Sequence, residues 1–309
     1  MNEAVILALA LVLDLALGEP PAALHPVVWV GKVISFLERG APRGSHAQLI
    51  YGGGTVALGL ALFVVPVWLL LHYLASASAM AWLVAAALIL KPTFSLRLLF
   101  RQAQRVRGAL AEGRWEEARE GLRGLVSRDT SSLDQPLLVA ATVESVAENI
   151  SDSFVAPLFY YLCFGVAGAV AYRVINTFDA MIGYHGRYEY LGKAAARLDD
   201  LANLVPARLT ALFIVAASYL TGRSGGRACR TMLRYRMATE SPNAGWPMGA
   251  MAGALNVQLE KVGHYRLGEP GAELVPARID EAMTMAALAA ALATLFFLAM
   301  GVIVHGYFA

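Results

Sequence analysis

Long apolar runs set what this chain can fold into. They cover residues 4–17, 56–74, 80–90, 154–175, 204–220 and 286–304. A backbone crossing ~30 Å of hydrocarbon must satisfy its own N–H and C=O groups, and a helix of ~20 residues does so. Hydrophobic residues make up 58% of the chain and charged residues 16%, and mean hydropathy is +0.55, outside the balance of a water-soluble domain. The reading is all-α, a polytopic integral membrane helical bundle in the cell (cytoplasmic) membrane with five or six crossings. The first and third runs are short and need tilting or local bilayer thinning. Met1-Asn2-Glu3 carries no positive charge and Asp14 falls within the first run, so that run is expected to stay attached rather than act as a cleaved signal.

One single membrane domain over 1–309 is expected, with 92–135 inserted as an extramembrane helical hairpin. Within the insert, FSLRLLFRQAQRVRGALAEG and RWEEAREGLRGLV read as two helices broken near Gly113, with Glu112, Glu116, Glu117 and Glu120 offsetting the arginines. Asp134 and Pro136 then supply an N-cap and a first-turn proline for the next helix. Arg97, Arg101, Arg105 and Arg107, and a second basic stretch over Arg223–Arg236, mark the cytoplasmic side. If every run crosses, the segment with Arg187, Lys193, Arg197 and Asp199 falls on the opposite side, against that rule. A re-entrant run, or a fold-back of the polar segment into the bundle, would remove the conflict. Net charge is only +2, and no nucleic-acid partner is expected.

Glu144, Glu148 and Asp152 recur every four residues, placing three carboxylates on one helical stripe just before an apolar run. Like charges held together near hydrocarbon require a cation, matching arginines or a raised pKa. The plain alternative is a solvated acidic face. Asp199 and Asp200 in ARLDDLAN, with Asn149, Asn176 and Asp179, extend the set toward a metal–phosphate site, since Mg²⁺ takes one or two carboxylates plus water and phosphate oxygens. The competing reading pairs Asp199 and Asp200 with Arg197 and Arg208 as helix-end charges. Arg128, Arg173, Arg197 and Arg208 suit phosphate or carboxylate groups. No Walker-type or Rossmann-type glycine pattern is present. Ser241, Asn243 and Trp246 in SPNAGWP offer hydroxyl, amide and aromatic surface, or simply turn chemistry. His25 reads as a histidine bonding a neighbouring carbonyl or as a ligand, and Cys163 as a small buried hydrophobe.

The strings DLALGEPPAALHPVVWVGKVI, SRDTSSLD, ATVESVAENISDSFVAPLFYY, AYRVINTFDAMIGY, AARLDDLANLVPARLTA and SPNAGWPMGAMAGAL, over residues 14–255, resemble the adenosylcobinamide-phosphate synthase (CobD/CbiB) family of cobalamin biosynthesis, a resemblance that runs from about residue 9 to 265. The resemblance implies an ATP-dependent, Mg²⁺-requiring ligation of the corrinoid adenosylcobyric acid to (R)-1-amino-2-propanol O-phosphate or ethanolamine phosphate. It departs from that family's pattern at Ser127, Glu240 and Met248. On this reading Glu144, Glu148, Asp199 and Asp200 hold metal. Arg128, Arg173, Arg197, Asn149, Asn176, Ser241 and Asn243 bind phosphates and cofactor, and Asp179 or Asp152 takes the proton of the incoming ammonium. Expected partners are the two substrates, membrane lipid, and a second copy or other late-pathway membrane enzymes. The competing classes are a transporter using intramembrane carboxylates and a Mg²⁺-dependent prenyltransferase-like bundle. In the latter, Gly183 stands where a second aspartate would follow Asp179.

Overall fold

The structure, a computed structural model, describes residues 2–126 and 129–307, with side chains over 3–126 and 129–303. The chain runs through α1 (Asn2–Leu17), α2 (Pro26–Arg39), α3 (Ser45–Ala77), α4 (Ala79–Leu90), α5 (Leu96–Ala111), α6 (Trp115–Arg123), α7 (Gln135–Ile150), α8 (Ala156–Ile182), α9 (Lys193–Ala202) and α10 (Leu204–Leu220). It continues through α11 (Gly225–Tyr235) and α12 (Gly245–Leu255), the antiparallel pair β1 (Leu259–Lys261) and β2 (Tyr265–Leu267), and α13 (Ala277–Tyr307). The all-α membrane reading holds. Four helices, 45–77, 79–111, 135–182 and 277–303, are long and apolar enough to cross a membrane, or five if the broken α9–α10 pair counts as one. Among the described residues, α1 at 16 residues falls below the length of those candidates. The small strand pair lies where no strand was read, because three-residue strands carry too few positions to show a period.

The helices gather into two compact units, one from 1–95, 156–202 and 297–309, the other from 96–155 and 203–296. In the first, glycines in α3 allow close approach: a Cβ at Gly52 would overlap the Leu191 carbonyl, and one at Gly59 would overlap the Phe178 ring. Val30, Ile34, Val56, Val174, Phe178 and Leu191 form the core beside them. The α2 helix starts on Pro26, with His25 as N-cap accepting from Val27 N at 3.2 Å.

The apolar run over 154–175 does not cross in one straight pass. Gly165, at φ 65° and ψ −161°, takes a backbone conformation nearly confined to glycine. Tyr160 and Tyr172 stack with ring centroids 5.2 Å apart, whereas twelve residues of continuous helix would separate them by about 18 Å. Ala156 and Tyr172 share one buried cluster with Ala202. The chain therefore turns back at Gly165, and α8 packs as two arms rather than one straight helix. Cys163, near its tip, is exposed rather than buried.

In the second unit, α5 and α6 form the expected hairpin broken at Gly113. Arg114–Glu117, Arg119–Glu116 (2.6 Å) and Arg123–Glu120 (2.9 Å) are i,i+3 pairs along α6 itself. Asp134 Oδ1 accepts from Leu137 N at 3.1 Å and caps α7, with Pro136 in the first turn. The small-residue helix α12 is buried throughout, because Gly249 and Gly253 let it ride on the backbone of α11 at Met232 and Ala228. That stripe is used inside the chain.

Candidate functional site

The second unit holds the carboxylate helix. Glu144 is 4% exposed, and Glu148, Asn149 and Asp152 are half-buried, so the stripe is not a solvated surface. The α-helix ends at Ile150 and residues Ser151–Val155 form a π-turn. Glu144 and Glu148 therefore share the α-helical face, while Asp152 sits in a wider turn that no longer keeps the four-residue repeat. Asn149 Nδ2 donates to Ser145 O and Oγ, each at 3.0 Å, and Ser145 Oγ donates to Leu125 O at 2.9 Å. The amide of Asn149 thus holds the backbone just before the π-turn.

In the same unit Arg208 Nη1 donates to Asn243 Oδ1 at 3.2 Å, and its guanidinium lies 4.6 Å from the Trp246 ring centroid. Arg236 lies over the same ring at 5.8 Å. Ser241 Oγ accepts from Asn243 N at 3.2 Å and the Ser241 carbonyl accepts from Thr239 Oγ1 at 2.7 Å. The turn is internally bonded, as turn chemistry predicts, and Asn243 also accepts from Arg208. What the sequence did not show is that Arg208, an arginine embedded in the apolar run after Pro206, stacks on Trp246.

The first unit holds the remaining acids. Asn176 Nδ2 donates to Asp199 Oδ1 at 3.2 Å, and Arg173 Nη1 donates to Asn176 Oδ1 at 3.3 Å. This relay joins α8 to α9 beside the Tyr160–Tyr172 stack, where Tyr160 Oη donates to Ala202 O at 3.0 Å. Asp199 is buried and Asp200 half-buried. Arg197 is exposed and makes no ion pair among the described residues, and Arg208 bonds Leu204 O and Asn243. The expected helix-end pairing of Asp199 and Asp200 with these arginines is therefore not what holds them. Asp179 packs over Gly183, where a Cβ would overlap its Oδ1. An aspartate there, as a prenyltransferase motif needs, would not fit. Arg128 lies outside the described residues.

A second charged cluster in this unit was missed because its members are scattered through the sequence. Lys91 Nζ lies 3.3 Å from Asp14 Oδ1 and 2.9 Å from Glu19 Oε1, and His25 Nε2 lies 2.7 Å from Glu19 Oε2. Since His25 Nδ1 accepts from Val27 N, its Nε2–H donates to Glu19. Lys91 is 6% exposed and Asp14 1%. Burial raises the Glu19 pKa, but bonds from His25 and Lys91 outweigh it and hold the carboxyl below its usual value. His25 bonds a carboxylate and a backbone N–H, not the carbonyl expected from sequence.

Among the described residues no three His, Cys, Asp or Glu side chains are grouped to hold a metal ion. The donors nonetheless fit Mg²⁺ in the form it commonly takes with nucleotides, one or two carboxylates with waters and phosphate oxygens completing the shell. Glu144 and Glu148, one helical turn apart and withdrawn from solvent, are such a pair.

The fold and these acids define a helical membrane protein with carboxylates and arginines kept within its helices. A family model described as CobD/Cbib protein matches residues 7–295, and the chain belongs to that family. It is 50% identical to "Cobalamin biosynthesis protein CobD" of Dehalococcoides mccartyi (strain CBDB1), covering 91% of each chain. It is 40% identical to "Probable cobalamin biosynthesis protein CobD" of Methanothermobacter thermautotrophicus, over 96% of this chain and 97% of the relative. It is 43% identical to the Pyrococcus furiosus protein with the same name, over 84% and 86%. No solved structure matches.

Proposed function

We propose that this chain is a membrane-bound ligase of cobalamin biosynthesis that joins the free propionate of adenosylcobyric acid to (R)-1-amino-2-propanol O-phosphate or ethanolamine phosphate. The observation that carries the reading is the match to the CobD/Cbib family over residues 7–295, in a chain that keeps Glu144, Glu148, Asp199 and Asp200 buried or half-buried on helices.

A carboxylate is a poor acyl donor, so it takes the γ-phosphoryl group of ATP, giving an acyl phosphate and ADP. The amine then attacks the acyl carbon, the C–N bond forms, phosphate leaves with the C–O bond, and one proton is lost from nitrogen. Asp179 or Asp152 accepts that proton. Arg173, Arg197 and Arg128 take phosphate groups, with Asn176 orienting Arg173 and Asp199 through its bonds to both. Arg208 joins them, oriented by Asn243. Asn149 keeps Glu148 in place by fixing the end of α7. Glu144 and Glu148 would hold Mg²⁺, which when bound would offset charge on the transferring phosphoryl group.

The test is product analysis by mass spectrometry with purified protein, adenosylcobyric acid, ATP, Mg²⁺ and each amino-alcohol phosphate, omitting one component at a time. Amide product only in the complete mixture supports the reading. Flux of a corrinoid across liposomes with no amide formed would replace it with transport.

A further inference from the structure

Beyond the ligation, one cavity in the first unit has no place in that chemistry. About 440 Å³ opens beside α2, lined by Val28, Gly31, Lys32, Ser35, Phe36, Arg39 and, from α8, Met181. Its floor is apolar and its rim carries two cations. Gly31 keeps it open, since a Cβ there would already come within 3.3 Å of Met181 Sδ.

Its level relative to a bilayer follows from its neighbours. Met181 lies in the last turn of α8, which ends at Ile182, and α3, a candidate span of 33 residues, begins at Ser45 a few residues after α2 ends at Arg39. Both helices meet the polar boundary at this end. Trp29, Lys32, Phe36 and Arg39 follow one helical stripe of α2, and Trp29 is 44% and Phe36 74% exposed. The indole of Trp29 is anchored by donating to Ala23 O at 2.8 Å. Aromatic rings and basic side chains on one exposed face suit the lipid headgroup level.

Charge selects the occupant. Lys32 and Arg39 make no ion pair among the described residues. The nearby acid Glu38 is committed to Arg187 at 2.9 Å and Tyr188 at 2.7 Å. Two unneutralised cations over an apolar floor match a phosphodiester carrying acyl chains. We infer that this cavity binds the headgroup of an anionic phospholipid, with Lys32, Ser35 and Arg39 on the phosphate and Phe36 and Met181 against the glycerol and upper acyl region.

The experiment reconstitutes the full chain in nanodiscs of phosphatidylcholine alone or with phosphatidylglycerol, and measures lipid retained through re-solubilisation by mass spectrometry. The wild-type protein should retain phosphatidylglycerol over phosphatidylcholine, and Lys32→Gln/Arg39→Gln should lower that retention roughly tenfold or more. Thermal melting guards against misfolding: the double variant should melt like wild type in phosphatidylcholine and lose the rise that phosphatidylglycerol gives wild type. Equal retention by both proteins overturns the inference, as does a melting rise of equal size in both. Displacement of the lipid by millimolar inorganic phosphate would also overturn it, reassigning the cavity to a free phosphate.

Discussion

Glu144 is nearly inaccessible on a helix whose next turn carries Glu148, and a buried carboxylate is tolerated only with compensating charge or bonds. If its task is to hold a metal-bound phosphate, Glu144→Gln and Glu148→Gln should each lower the ligation rate by roughly 100-fold or more, on the scale of losing one preorganised electrostatic contact. Circular dichroism and elution in detergent should stay unchanged. A variant within a few-fold of wild type in a product assay would remove that residue from the site. Lys91 has a different task. Its contacts with Asp14 and Glu19 are buried, so Lys91→Met removes the cation the two carboxylates share and should cost about 3–5 kcal/mol, measured by denaturant or thermal unfolding in detergent. The Glu19 carboxyl titrates below its ordinary 4.5 in the folded protein. Its stabilisation is fully present above pH 4.5 and is lost as pH falls through the depressed folded value. The stability gap between wild type and Glu19→Gln should be flat from pH 8 to about 5 and close below that. A gap that instead opened under acid would reverse the assignment.

Among the elements, α8 departs most from its sequence reading. Residues 154–175 read as one span because apolar composition carries no record of direction; only the φ of Gly165 turns the chain back. By contrast the α5–α6 hairpin, the Asp134 cap and the carboxylate helix were legible, because each is encoded within a few neighbouring residues. The reversal can be tested with Tyr160→Cys/Tyr172→Cys in a Cys163→Ala background and a thiol cross-linker shorter than 10 Å. Two antiparallel arms predict an intramolecular cross-link, while a straight helix would keep the thiols about 18 Å apart and unlinked. Gly165→Ala, forced into a conformation that disfavours a Cβ, should destabilise the protein by roughly 1–3 kcal/mol.

At the scale of the whole molecule, the candidate acids Glu144, Glu148, Asp199 and Asp200 sit on helices, buried or half-buried, which suits the water exclusion the proposed acyl phosphate would need. The membrane class and most of the candidate acids could be read from sequence. The Lys91–Asp14–Glu19–His25 cluster could not, because the residues that form it come from three separate segments and only the packing of α1 against α4 brings them together. Arg208 and Asn243 were each legible as candidates, but the bond between them was not, because 35 residues separate them. The reaction is tested most directly by following ADP and amide together after mixing the purified protein with adenosylcobyric acid, ethanolamine phosphate, ATP and Mg²⁺. The account predicts one ADP released per amide formed and neither product with Glu148→Gln; amide formed without ATP consumption, or ATP consumed at the same rate without the corrinoid, would contradict it.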